Sequence, residues 1–175
     1  MANQGDLRAL QARLAERLDQ AREQKVSGAA WLAVKATGQG YLLPLSQSGE
    51  VLPWSGVTPV PYTKPWMLGV ASLRGLLLTV VDLALMLGQP ARRTEGFYAE
   101  AKLVVLNPLL GVHAALLVEQ LEGLRRVQDF ARSQPPADEA PPFVSASYVA
   151  ADGQAWQELD LQKLAESRDF LDISA

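Results

Sequence analysis

From Ala29 onward the apolar residues of this chain come in short runs, each cut off within a few positions by Gly or Pro. That spacing leaves little room for long helices and favours short strands joined by tight turns. Trp31-Leu-Ala-Val-Lys35 and Tyr41-Leu-Leu-Pro-Leu45 flank Thr37-Gly38-Gln39-Gly40, the pattern of a hairpin. Pro44 suits an edge strand or a strand end, because it has no N–H for the ladder. Glu50-Val-Leu52 is another short strand, followed by a loop carrying Pro53, Pro59, Pro61 and Pro65. Leu76–Val81, rich in Leu and Val, reads as a buried strand. Asp82 then stands where an N-cap belongs, ahead of one or two helical turns over Leu83–Leu87 that Gly88 closes. Lys102–Leu106 and Val112–Val118 predict a second hairpin around Asn107-Pro108, with a further strand over Leu121–Val127. Ser133–Pro142 reads as a polar loop. Phe143–Ala150 and Gln154–Leu159 pair across Ala151-Asp152-Gly153, and a last helix starts at Leu161. Such a chain is mainly β, and its frequent turns favour small barrels over an open parallel sheet.

One segment has a different period. Between Asp6 and Gln24, Leu7, Leu10, Leu14, Leu18 and Ala21 recur at three- and four-residue spacing, with Arg, Glu and Gln on the other faces. Asp6 is a fitting N-cap, and Ser27-Gly28 ends the helix. Its narrow stripe suits docking on one surface, either the chain's own or a partner's.

Composition removes several function classes. A chain of 175 residues with 49% hydrophobic and 20% charged residues is globular. The net charge of -3 argues against a nucleic-acid binder, which concentrates Lys and Arg. There is no cysteine and a single histidine, His113. Disulfides, thiolate chemistry and two-histidine mechanisms are therefore excluded. The most membrane-like stretch is Leu68–Gly88. Its Leu and Val side chains each favour insertion by about 0.3–0.6 kcal/mol, whereas Arg74 and Asp82 each oppose it by about 2.5–3.5 kcal/mol. The terms nearly cancel, and Gly69, Ser72 and Gly75 turn the balance against insertion.

Catalytic signatures are missing. There is no Gly-x-Ser-x-Gly elbow, no phosphate loop and no calcium loop, and Gly38-Gln39-Gly40 is a hairpin turn without the third glycine of a dinucleotide fingerprint. Asp138-Glu139 lies in a polar loop, where solvation accounts for it. Of the four tryptophans, Trp31 and Trp156 fall in strands and belong to the core. Trp54 and Trp66 fall in the Pro-rich loop, where exposure is expected.

The stretch that stands out is Leu68-Gly-Val-Ala-Ser-Leu-Arg-Gly75, followed by Thr79-Val-Val-Asp-Leu83 and Leu87-Gly88. It places a charged arginine at a turn between two very apolar strands. Arg74 is too costly to bury unpaired, so its guanidinium must reach solvent or a carboxylate. The run resembles the signature of CheW-like adaptor domains, G-V-x-N-L-R-G followed by P-V-x-D-L and L-G. Tyr41-Leu-Leu-Pro-Leu45, Glu50-Val-Leu52, Thr58-Pro-Val-Pro61, Leu116-Leu-Val-Glu119 with Leu121, and Val149-Ala-Ala-Asp-Gly153 through Lys163-Leu164 are similar to further motifs of that family, in the same order. Ser72, Thr79 and Glu119 depart from its usual Asn, Pro and Asp.

The resemblance implies two side-by-side five-stranded SH3-like barrels with a shared core, over residues 29–175. An N-terminal helical extension over residues 1–28 and a short C-terminal helix complete the expected chain. The extension is similar to that of the PilI-type branch, which serves type IV pilus twitching motility. The family's function implies a non-catalytic, cytoplasmic adaptor without a cofactor. It would link a chemoreceptor's cytoplasmic signalling tip to the regulatory domain of a CheA-type histidine kinase, reaching membrane receptor arrays only through these partners. Ser48, Glu50, Gly69 and Arg74 occupy the positions matching the family's protein-binding residues. Arg74 would offer a fork of donors, Glu50 charge complementarity and Gly69 close backbone approach. Two other readings stay open: a small-ligand or enzymatic barrel using Asp82 or Glu119, and an interaction module acting through the N-terminal helix.

Overall fold

Alternating side chains on short strands can bury both faces of a sheet only if something covers each face. In the computed structural model, which describes residues 9, 11–17 and 30–175, that cover comes from curling two sheets against each other. The strands are β1 (Trp31–Ala36), β2 (Gln39–Pro44), β3 (Ser48–Pro53), β4 (Met67–Leu73), β5 (Leu76–Asp82), β6 (Lys102–Leu106), β7 (Ala114–Val118), β8 (Gln120–Arg125), β9 (Phe130–Gln134), β10 (Val144–Ala150) and β11 (Ala155–Leu159). The helices are α1 (residues 11–17), α2 (Leu83–Met86), α3 (Glu95–Glu100), α4 (Leu161–Glu166) and α5 (Arg168–Leu171). One sheet runs β8-β1-β2-β11-β10-β9 and the other β3-β6-β7-β5-β4. The middle of the chain thus builds the five-stranded sheet, and the two flanks return to build the six-stranded one. Each sheet contains one parallel pair, β2 with β11 and β5 with β7, among antiparallel neighbours.

Strand β1 shows how the core is divided. Trp31 and Ala33 point into a small cluster with Leu42 and Trp156 inside the six-stranded sheet. Leu32, Val34 and Ala36 point the other way, into the large core shared with Val81, Val104, Leu116 and Val118 of the five-stranded sheet. That second sheet has its own inner cluster, including Val80, Leu103 and Leu117. The mainly β architecture expected from the sequence is present, with two sheets around a common core.

The differences are local. The six-stranded sheet includes β9, whose last residues, Ser133 and Gln134, were expected to begin a loop. It is an edge strand with exposed residues, so it leaves no apolar period to read. Trp66 is buried, contrary to the expected exposure, because α5 returns to stack Phe170 on it at 6.3 Å between centroids. Trp54 is half-buried against Tyr98, with centroids 4.7 Å apart. Neither partner is near in sequence. Leu68–Gly88 forms β4, a turn, β5 and α2, and among the described residues no helix is long and apolar enough to cross a membrane. Most of the expected helix Asp6–Gln24 lies outside the described residues; residues 11–17 are helical, and Leu14 among them is exposed.

Candidate functional site

Strands β4 and β5 meet in a two-residue turn, Arg74-Gly75, with Leu73 paired to Leu76. Both turn residues have positive φ, +50° and +82°, the type I′ geometry whose twist matches the flanking strands. An L-residue in this region costs about 1–2 kcal/mol, which glycine avoids. The arginine is therefore held at its position against its own backbone preference. Its Nη2 donates to Glu50 Oε1 at 2.6 Å. Glu50 is on β3, the opposite edge of the same sheet, so the sheet curls far enough for its two edges to meet through this pair. The side chains are 76% and 41% exposed, and a pair so wet contributes only about 0–1 kcal/mol to stability. Both charges stay within reach of a partner.

Ser48, at the start of β3, donates its hydroxyl to the Pro44 carbonyl at 2.9 Å and so fastens the β2–β3 corner. Gly69 has φ +146°, and a Cβ there would sit 2.3 Å from the Thr58 carbonyl oxygen. The close backbone approach expected at Gly69 is thus made by the chain's own Pro-rich loop, where Thr58 and Val70 exchange hydrogen bonds of 2.8 and 2.9 Å. Glu50 and Arg74 are brought together, whereas Ser48 and Gly69 support the strands that carry them.

Beyond the turn, Leu76 and Leu77 are exposed although they open an apolar strand. Leu77 leads into a groove of about 360 Å³ along β5, lined by Val70, Val81, Val112, Phe170 and Ile173, with His113 on its wall. An apolar groove beside exposed opposite charges suits recognition of another protein's amphipathic surface.

The two rival carboxylates are occupied. Asp82 is fully buried; its Oδ1 accepts from the Leu85 N–H at 3.2 Å, the N-cap expected from the sequence. The sequence reading missed its second partner. Arg93 holds both carboxylate oxygens, at 2.6 and 2.5 Å, and lies 4.0 Å from the centroid of the Phe97 ring. Glu119 accepts from the Gly38 N–H at 3.0 Å and steadies the β1–β2 turn. Among the described residues no group of three or more His, Cys, Asp or Glu side chains could hold a metal ion.

Comparison with known proteins places the chain in a family. The model of the CheW-like domain matches residues 30–169. Protein PilI of Pseudomonas aeruginosa is 30% identical over 160 residues, covering 88% of this chain and 85% of that protein. Chemotaxis protein CheW of Rhizobium meliloti is 28% identical over 102 residues, 58% of this chain and 63% of that one. The crystal structure of the scaffolding protein TtCheW from Thermoanaerobacter tengcongensis superposes with a TM-score of 0.66 at 20% identity, covering 81% of this chain and 95% of that one, a likeness of fold.

Proposed function

This chain belongs to the CheW-like domain family, and from that premise we propose that it is a non-catalytic adaptor coupling a chemoreceptor's signalling tip to the regulatory domain of a CheA-type histidine kinase. The system served is the one controlling type IV pilus twitching. The carrying observation is the similarity to Protein PilI, which extends over 88% of the chain. The site supports a binding role on physical grounds. Its conspicuous charges are solvent-exposed and mutually paired, and the neighbouring groove is apolar. Asp82 and Glu119, the candidates for acid–base work, are committed to a cap, an ion pair and a turn.

In this reading the Arg74–Glu50 pair and the exposed Leu76–Leu77 edge form one docking face, with Ser48 and Gly69 keeping its strands in place. The adaptor works in the cytoplasm and joins receptor arrays through its partners, without cofactor, nucleic acid or membrane insertion. Calorimetric titration tests it, using a purified receptor signalling-tip fragment and the regulatory domain of a CheA-type kinase from a pilus-type system. Saturable binding to both, compatible in one ternary complex, is expected. Binding to neither would overturn the proposal.

A further inference from the structure

Two glutamines tie the sheets together through side-chain hydrogen bonds. Gln47 lies in the crossing from β2 to β3, where the chain passes from one sheet to the other. Its Nε2 donates to Asp160 Oδ1 at 3.2 Å, and its Oε1 accepts from the Leu161 N–H at 2.7 Å. Its backbone carbonyl accepts from the Asn107 N–H, just after β6, at 3.0 Å. One residue thereby joins the N-terminus of α4, which follows the six-stranded sheet, to the five-stranded sheet. Gln89 follows α2 on the five-stranded side. Its Nε2 donates to the Tyr41 hydroxyl at 2.5 Å, and its Oε1 accepts from the Thr37 hydroxyl at 2.6 Å, both on the β1–β2 hairpin. Tyr41 is buried, so its hydroxyl depends on this partner.

In each case both ends of the amide are used across the boundary between the sheets. Apolar packing between sheets is non-directional and tolerates small sliding movements, whereas hydrogen bonds fix distance and angle. We infer that Gln47 and Gln89 act as a pair of amide clamps that set how the two sheets sit on each other. They thereby set the geometry between the five-stranded sheet and the C-terminal helices that follow the six-stranded one, as at the groove between β5 and α5. The inference rests on these contacts alone and stands apart from the adaptor reading.

The partners make the two positions chemically unequal. Gln89 faces two hydroxyls, either of which can donate to a carboxylate, so Gln89→Glu keeps the clamp. Gln47 faces the Asp160 carboxylate, so Gln47→Glu sets two negative charges together and opens it. The absence of cysteine makes spin labelling clean. Labels at Ser72→Cys on β4 and Ser133→Cys on β9 report the distance between sheets; labels at Gln120→Cys and Ser133→Cys report the six-stranded sheet alone. In pulsed dipolar measurements on the full chain, Gln89→Leu, Gln47→Leu and Gln47→Glu should broaden and displace the between-sheet distribution. The within-sheet one should stay unchanged, and Gln89→Glu should match the parent. An unmoved between-sheet distribution overturns the inference. So do the two distributions changing together, which would mark loss of fold, and a Gln89→Glu variant that behaves like Gln89→Leu.

Discussion

Arg74 and Glu50 join the two opposite edges of the five-stranded sheet through a 2.6 Å contact on its surface. Arg93 and Asp82 make a contact of the same chemistry with both side chains withdrawn from water. The first pair can be lost at little cost to the fold and the second cannot. The exposed pair is therefore the one open to the proposed binding role, and the buried pair is structural.

Arg74→Ala should therefore shift stability by under about 1 kcal/mol. Loss of a charged hydrogen bond at an interface should weaken association with receptor or kinase by about 1–3 kcal/mol. Urea denaturation beside calorimetric titration reads both quantities. Unchanged affinity would remove Arg74 from the docking face.

Arg93→Ala leaves the Asp82 carboxylate buried without its counter-charge, which should cost about 3–5 kcal/mol. A bare N-cap role for Asp82 would be worth only about 0.5–2 kcal/mol. Urea midpoints for Asp82→Ala and Arg93→Ala distinguish the two: similar, large losses are expected for both variants, and a small loss for Arg93→Ala would show that the ion pair contributes little.

At Gly69 the expected effect is on folding. Alanine there meets the Thr58 carbonyl and adopts an unfavourable positive φ, a strain of about 1–3 kcal/mol before the clash is counted. Gly69→Ala should lower the thermal midpoint clearly, whereas Gly75→Ala, with open space around its Cβ, should lower it less. Equal midpoints would contradict the crowding.

Asp172 provides a pH test. Hydrogen bonding from Ser174, then the charge of Lys64, hold its carboxyl below the ordinary aspartate value. A depressed value in the folded state means that the contribution is present above the unfolded pKa and fades as pH falls through the lowered one. Carboxyl titration by NMR should show Asp172 protonating later than a free aspartate on acidification. Ser174→Ala should move it back further than Lys64→Met, and identical titration in all three chains would refute that order of causes.

Short apolar runs, glycines at turns and the Asp82 cap made most strands and α2 legible, because hairpins and caps depend on neighbours in the chain. The ordered motifs around Leu68–Gly75 also pointed to the family and to Arg74 and Glu50. The approach of these two residues could not be read, since it depends on a sheet curling until β3 and the β4–β5 turn meet. The same holds for Arg93 beside Asp82, Phe170 over Trp66, and the two glutamines across the sheet boundary. Local pattern determined most of the strands, their turns and the α2 cap. Only the tertiary structure decided which charges were buried and which stayed wet, because burial depends on what the distant flanks of the chain bring back to cover.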